Sequence, residues 1–138
     1  MILKPNKYLK KIGIDENYWL FNSKDNEGDL RYFPDEEGFV DAEHFSLDLS
    51  LSLYIYSQLC YFREHCMCGY PGNMTFEQWK DVVDKMIEAF ELLIKADERV
   101  DDSFLLGNEQ GKRLSKNRQK KINYGMRLFI KYYGHLWY

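Results

Sequence analysis

Three cysteines among 138 residues are too few, and odd in number, for a disulfide framework. A reducing cytosol is the expected compartment. No apolar run reaches the roughly 18–20 residues of a membrane span, so no membrane association is expected. No basic stretch followed by an apolar core and a cleavage site opens the chain, and no secretory leader is expected. A glycine-rich phosphate loop is missing too: Gly69-Tyr70-Pro71-Gly72 has neither the length nor the following Lys-Ser/Thr. There is no internal repeat and no low-complexity tract.

Metal chemistry has little to work with. His65, Cys66 and Cys68, with Cys60 one to two turns upstream, are the sole Cys/His cluster, and His44 and His135 are the remaining histidines. Zinc needs four converging ligands, usually with two to four residues between paired cysteines. Here one residue separates Cys66 from Cys68, and no second pair exists. Cys60 reads better as a small buried hydrophobe. A thiolate–imidazole pair of Cys66 or Cys68 with His65 or His44 has no local support, because neighbours in sequence need not face each other. Carboxylates are plentiful but fall on an outward face, whereas acid–base work needs one in a cleft with a shifted pKa. The expectation is a protein that is not an enzyme and carries no metal or cofactor.

What the chain does have is aromatic content, 17% of residues with eleven Tyr and nine Phe, which argues for an ordered core. The net charge of −3 is ordinary but unevenly laid out. Residues 15–43 hold ten acids against Lys24 and Arg31, while 112–121 hold Lys112, Arg113, Lys116, Arg118, Lys120 and Lys121 and no acid. The overall balance disfavours a general nucleic-acid binder. The basic block can hold phosphates or an acidic partner, or it is a solvated helix start.

The periodicities predict a mainly α chain of one domain, a compact bundle of about three core helices behind an N-terminal arm at 1–45. The arm is irregular, or contains a small hairpin pairing 18–22 with 30–33 around the turn Asn26-Glu27-Gly28-Asp29. The first core helix, over 46–66, starts at Ser46 or Asp41. It carries apolar residues over a wide arc: Leu49, Leu53, Tyr56 and Cys60 on one face, Leu51, Ile55, Leu59 and Phe62 on the next. Cys68 to Asn73 breaks the chain. Thr75 and Gln78 then form a capping box for a helix over 76–95. Phe76, Trp79, Val83, Met86, Phe90 and Leu93 make its buried seam, and Glu77, Asp81, Asp84, Glu88 and Glu91 its acid stripe. Residues 95–115 read as a loop. A last helix over 116–136 has Ile122, Met126, Phe129, Tyr133 and Leu136 as its seam. Gly125 inside it costs roughly 1 kcal/mol of helix propensity relative to Ala, which a close helix crossing would explain.

The candidates for ligand contact are few. Arg63, His65 and Tyr70 lie at the end of the first core helix and in the turn after it, and Arg127 and Lys131 share a face of the last helix. Arginine offers a planar fork for phosphate, and an aromatic ring a stacking surface. The plainer alternative is that Arg63 pairs with a helix acid and Tyr70 caps the core.

Ser46-Leu47-Asp48 opening a helix, then Gly69-Tyr70-Pro71, then Thr75 with Trp79, then Met86-Ile87 with Phe90, resembles a family of small uncharacterised tailed-phage proteins. The ending is similar as well, with Gly125, Phe129, Tyr132-Tyr133 and Leu136-Trp137. The resemblance covers roughly residues 45–94 and 122–137 and rests mostly on core and turn residues. It implies an all-helical, phage-encoded protein in the host bacterial cytoplasm, with no catalytic residues to carry over. By analogy it implies a counter-defence factor that sequesters a cyclic nucleotide or another nucleotide signal of bacterial immunity. In that reading Arg31, Arg63, Lys120 and Arg127 neutralise phosphates and Tyr70 or Trp79 stacks on a base, in a pocket between helices or at a homo-oligomer interface. The alternative is an inhibitor or adaptor that docks on a host defence protein through the acid stripe and the acidic N-terminal third. A virion accessory factor is the remaining reading.

Overall fold

A computed structural model describes residues 3–21, 27–96 and 108–137. The chain is mainly helical, with α1 at Lys7–Lys11, α2 at Leu47–His65, α3 at Phe76–Ala96 and α4 at Asn108–Lys131. Short 3-10 turns lie at Leu30–Tyr32, Asp41–His44 and Tyr133–His135. Its internal contacts divide into two units, residues 1–57 and 58–138, with the division falling inside α2.

In the first unit local side-chain bonds set the path. The Asn6 carboxamide oxygen accepts from the Tyr8 and Leu9 N–H groups and starts α1. The helix ends on Gly13 at φ 85°. There the N–H of Ile14 donates to the Leu9 carbonyl and that of Gly13 to the Lys10 carbonyl. This is a Schellman ending, and its usual apolar contact positions, Leu9 and Ile14, are both buried. Asp29 caps the first 3-10 turn through Arg31 N–H. Asp35 accepts from Glu37 and Phe39 N–H, closing a tight loop between the isolated antiparallel bridge residues Pro34 and Val40. These turns leave no strand among the described residues. The hairpin expected between 18–22 and 30–33 does not form in its described part: 18–21 is turn and 30–32 is 3-10 helix, with residue 22 outside the described residues. The irregular arm is what the chain adopts, because aspartate-capped turns meet its backbone needs locally.

Glu43 is a buried carboxylate in this unit, and its Oε1 accepts the Leu3 N–H at 2.7 Å. Beside it, α2 begins at Leu47. Leu49, Leu53, Tyr56 and Leu59 are buried along the helix, while Leu51 of the second expected face is exposed. Three serines are buried among them. Ser52 and Ser57 hydroxyls donate to the carbonyls four residues back, and Ser50 donates to the Glu43 carbonyl, so each buried hydroxyl is satisfied.

In the second unit α3 and α4 pack side by side. The capping box forms as expected: Thr75 Oγ1 accepts from Gln78 N–H, and Gln78 Oε1 accepts from Thr75 N–H. Trp79, Val83, Met86, Ala89, Phe90 and Ile94 form the buried seam of α3. Residues 79, 85 and 88 of α3 meet 132, 125 and 121 in turn, so the two helices run antiparallel. Phe90 and Phe129 meet edge to face at 5.2 Å. Helix α4 starts at Asn108, earlier than expected. It ends at Lys131, and a 3-10 turn follows. Tyr132, seven residues after Gly125 and so on the same side of the helix, is buried, and Tyr133, expected in the seam, is 68% exposed.

Candidate functional site

The candidate residues divide by what already holds them. Arg31 belongs to the first unit and is committed to Asp29: its Nε donates to Oδ1 at 3.0 Å and its Nη2 to Oδ2 at 2.7 Å. The guanidinium also lies 5.5 Å from the centre of the Phe45 ring. Hydrogen bonds from Arg31 hold the Asp29 carboxyl below the usual carboxylate range, and the same pair raises the arginine. The Nε–Nη2 edge of the guanidinium is thus taken by a carboxylate.

The other candidates belong to the second unit. Arg63, in the last turn of α2, donates from Nε to Asp84 Oδ1 of α3 at 2.9 Å. It behaves as a helix-to-helix tie. Trp79 is 1% exposed, with Tyr132 and His135 edge-on at 5.7 and 6.5 Å. This corrects its assignment as a stacking residue: no face of the indole is open to a base, because the start of α3 uses it to anchor the end of α4. Tyr70 is 58% exposed, with its ring 6.1 Å from Phe76. It does not cap the core.

Lys120 and Arg127 are brought together on the solvent face of α4. At 3.6 residues per turn, Arg113, Lys116, Lys120, Tyr124, Arg127 and Lys131 fall within an arc of about 80°. All six are exposed. The arc lies opposite Ile122, Gly125 and Phe129, the residues turned toward α3. Arg127 Nε donates to the Asn123 carbonyl one turn back, and Lys131 Nζ lies 5.3 Å from the Tyr132 ring centre. Arg113, Lys116 and Lys120 have no ion-pair partner among the described residues. From Gln110 to Lys131 the chain has eight Lys or Arg and no acid. Tyr124, 51% exposed at the middle of this face, is the residue that sequence reading passed over. Its signal is its spacing, four after Lys120 and three before Arg127. It goes unseen when the basic block and the apolar seam are read as separate features.

The acid stripe of α3 is largely neutralised within the unit. Glu77 pairs with Lys80, Asp84 with Arg63, Glu88 with Lys121 and Glu91 with Lys95, at 2.9–3.7 Å. Around the cysteines, the His65 ring lies tilted against Tyr61 at 4.6 Å, and none of Cys60, Cys66 and Cys68 is in a disulfide. Among the described residues no three His, Cys, Asp or Glu side chains gather as metal ligands, and no helix is long and apolar enough to cross a membrane. Comparison with protein-family models, curated proteins and solved structures finds no match.

Proposed function

We propose that this protein is a non-enzymatic binder that sequesters a nucleotide-type signalling molecule, and that the outer face of α4 is where it holds phosphates. One observation carries the reading: Lys120, Tyr124 and Arg127 share an exposed face with further cations and no acid. Lysine and arginine supply charge-assisted hydrogen bonds to phosphate oxygens, and the tyrosine supplies a ring for a base. Like charges at i, i+4, such as Lys116 with Lys120 and Arg127 with Lys131, each cost a helix a few tenths of a kcal/mol. A bound polyanion relieves that repulsion, so ligand and helix stabilise each other.

The resemblance to small tailed-phage proteins supplies the setting: the cytoplasm of an infected bacterium, where removing an immune signal blunts the defence it triggers. The acidic face of α3 lends less support to docking on a host defence protein, because four of its five carboxylates already have cationic partners. The test is calorimetry against cyclic di- and trinucleotides, ADP-ribose derivatives and short linear oligonucleotides. Stoichiometric binding of at least one, weakened by Lys120→Glu, is expected. A folded sample that binds none of them overturns the reading.

A further inference from the structure

We infer that the α4 face is a track for a short single-stranded oligonucleotide; this rests on the nucleotide reading and narrows its ligand class. The argument begins with length. Arg113 to Lys131 spans about 27 Å at 1.5 Å per residue. The cations at 113, 116, 120, 127 and 131 are spread along the whole span and do not converge on one point. A cyclic dinucleotide has two phosphates and reaches two or three of these side chains at once. A linear phosphodiester chain matches the entire row. At about 3.4 Å per stacked nucleotide the track accommodates roughly eight nucleotides, and fewer if the strand is extended.

Tyr124 decides between single strand and duplex. It stands in the gap between Lys120 and Arg127, the widest interval in the row, and its ring makes no aromatic contact among the described residues. An exposed ring flanked by cations is the arrangement that binds unpaired bases, which offer a π-face regardless of sequence. In a duplex the base faces are stacked on one another and closed to it. The chain's overall negative charge keeps such binding local, confined to one helix face and dependent on salt.

Fluorescence anisotropy with labelled oligothymidylates and oligouridylates of 2, 4, 8 and 12 nucleotides tests this across a range of KCl concentrations. Affinity should climb from 2 to 8 nucleotides and then level off, with the tighter series identifying the preferred sugar. The slope of log affinity against log salt should approach about −3.5 for five phosphate contacts on a single strand. The double variant Lys120→Glu/Arg127→Glu should flatten that slope and weaken binding at least about a hundredfold. Tyr124→Ala should weaken binding about tenfold with the slope unchanged, and Tyr124→Phe should keep it. Melting curves of each variant confirm that the fold is intact. If small cyclic nucleotides bind through Lys120 and Arg127 and oligonucleotide length adds nothing, the track is overturned while the nucleotide reading stands. Duplex bound as tightly as single strand overturns it too. If neither ligand class binds, both readings fall.

Discussion

Gly125 of α4 lies directly against Ala89 of α3. A Cβ built on the glycine would sit 2.5 Å from the Lys85 carbonyl oxygen and closer still to the Ala89 methyl. Both obstacles are at or next to the α3 backbone, so neither can swing aside as a long side chain would. On helix propensity alone Gly125→Ala should stabilise by about 1 kcal/mol. At this crossing it should instead destabilise by a net of about 1–3 kcal/mol, the usual cost of overpacking. Urea denaturation monitored by circular dichroism gives the sign. A stabilised variant would mean that α3 and α4 do not approach this closely.

Trp79 should matter for folding and hardly at all for ligand. Its ring is buried and meets both Tyr132 and His135. Trp79→Ala should cost about 3–5 kcal/mol of stability. Trp79→Phe keeps most of the buried area and should cost less. Measured per folded molecule, the phenylalanine variant should bind oligonucleotide as the parent does. An affinity change beyond threefold would place the indole in the binding site after all.

Glu43 ties the start of the chain to its own unit, since it is buried and accepts the Leu3 N–H. Glu43→Ala removes the acceptor and should cost about 1–3 kcal/mol for the stranded amide and the lost side-chain packing. Amide exchange at Leu3 should then approach that of an open chain, with the α3–α4 pair unchanged. Protection that persists at Leu3 would show that another group holds the segment.

How legible all this was depends on the range of the forces involved. Thr75 and Gln78 were readable because a capping box is closed by residues three apart. Gly125 was readable because a glycine that breaks a strong helical period needs a steric reason, and a neighbouring helix is the usual one. The burial of Tyr132 was not, because the 4-3-4-3 pattern ran through Tyr133, while Tyr132, seven residues after Gly125, lies on the side that the close crossing turns to α3. Arg63 and Lys120 looked alike in sequence. They differ because Asp84, twenty-one residues from Arg63, reaches only one of them, and only the packing of the helices decides that.

The pair of Arg31 and Asp29 makes a pH prediction. The carboxyl titrates lower in the folded protein than in the unfolded chain, first because of the side-chain hydrogen bond from Arg31. Between the two pKa values the unfolded chain binds more protons, so stability rises with pH there. The contribution is complete above the ordinary aspartate value of about 4 and is lost as pH falls through the folded value. NMR titration of the Asp29 carboxyl should find its midpoint below the ordinary aspartate value. Arg31→Ala should bring the midpoint back up toward the ordinary value. No movement on that substitution would mean the fork does not persist in solution.

The sharpest division among the four candidate cations is between those already paired and those that face water alone. Arg63 and Arg31 hold carboxylates at 2.9 and 2.7 Å. A phosphate at either would have to share the guanidinium with that carboxylate, whose charge opposes it. Lys120 faces solvent with no ion pair among the described residues, and Arg127 holds only a backbone carbonyl of its own helix at 3.3 Å. Arg63→Gln should therefore lower stability by up to about 1 kcal/mol, as partly exposed pairs do, and leave oligonucleotide affinity within twofold. Lys120→Gln and Arg127→Gln should do the reverse, each weakening binding several-fold and reducing the salt slope by about 0.7 while the melting temperature holds or rises. Measuring anisotropy and melting on the same three preparations separates the two behaviours. If Arg63→Gln weakens binding as much as Arg127→Gln does, the ligand draws on residues beyond the α4 face, and the site extends to the end of α2.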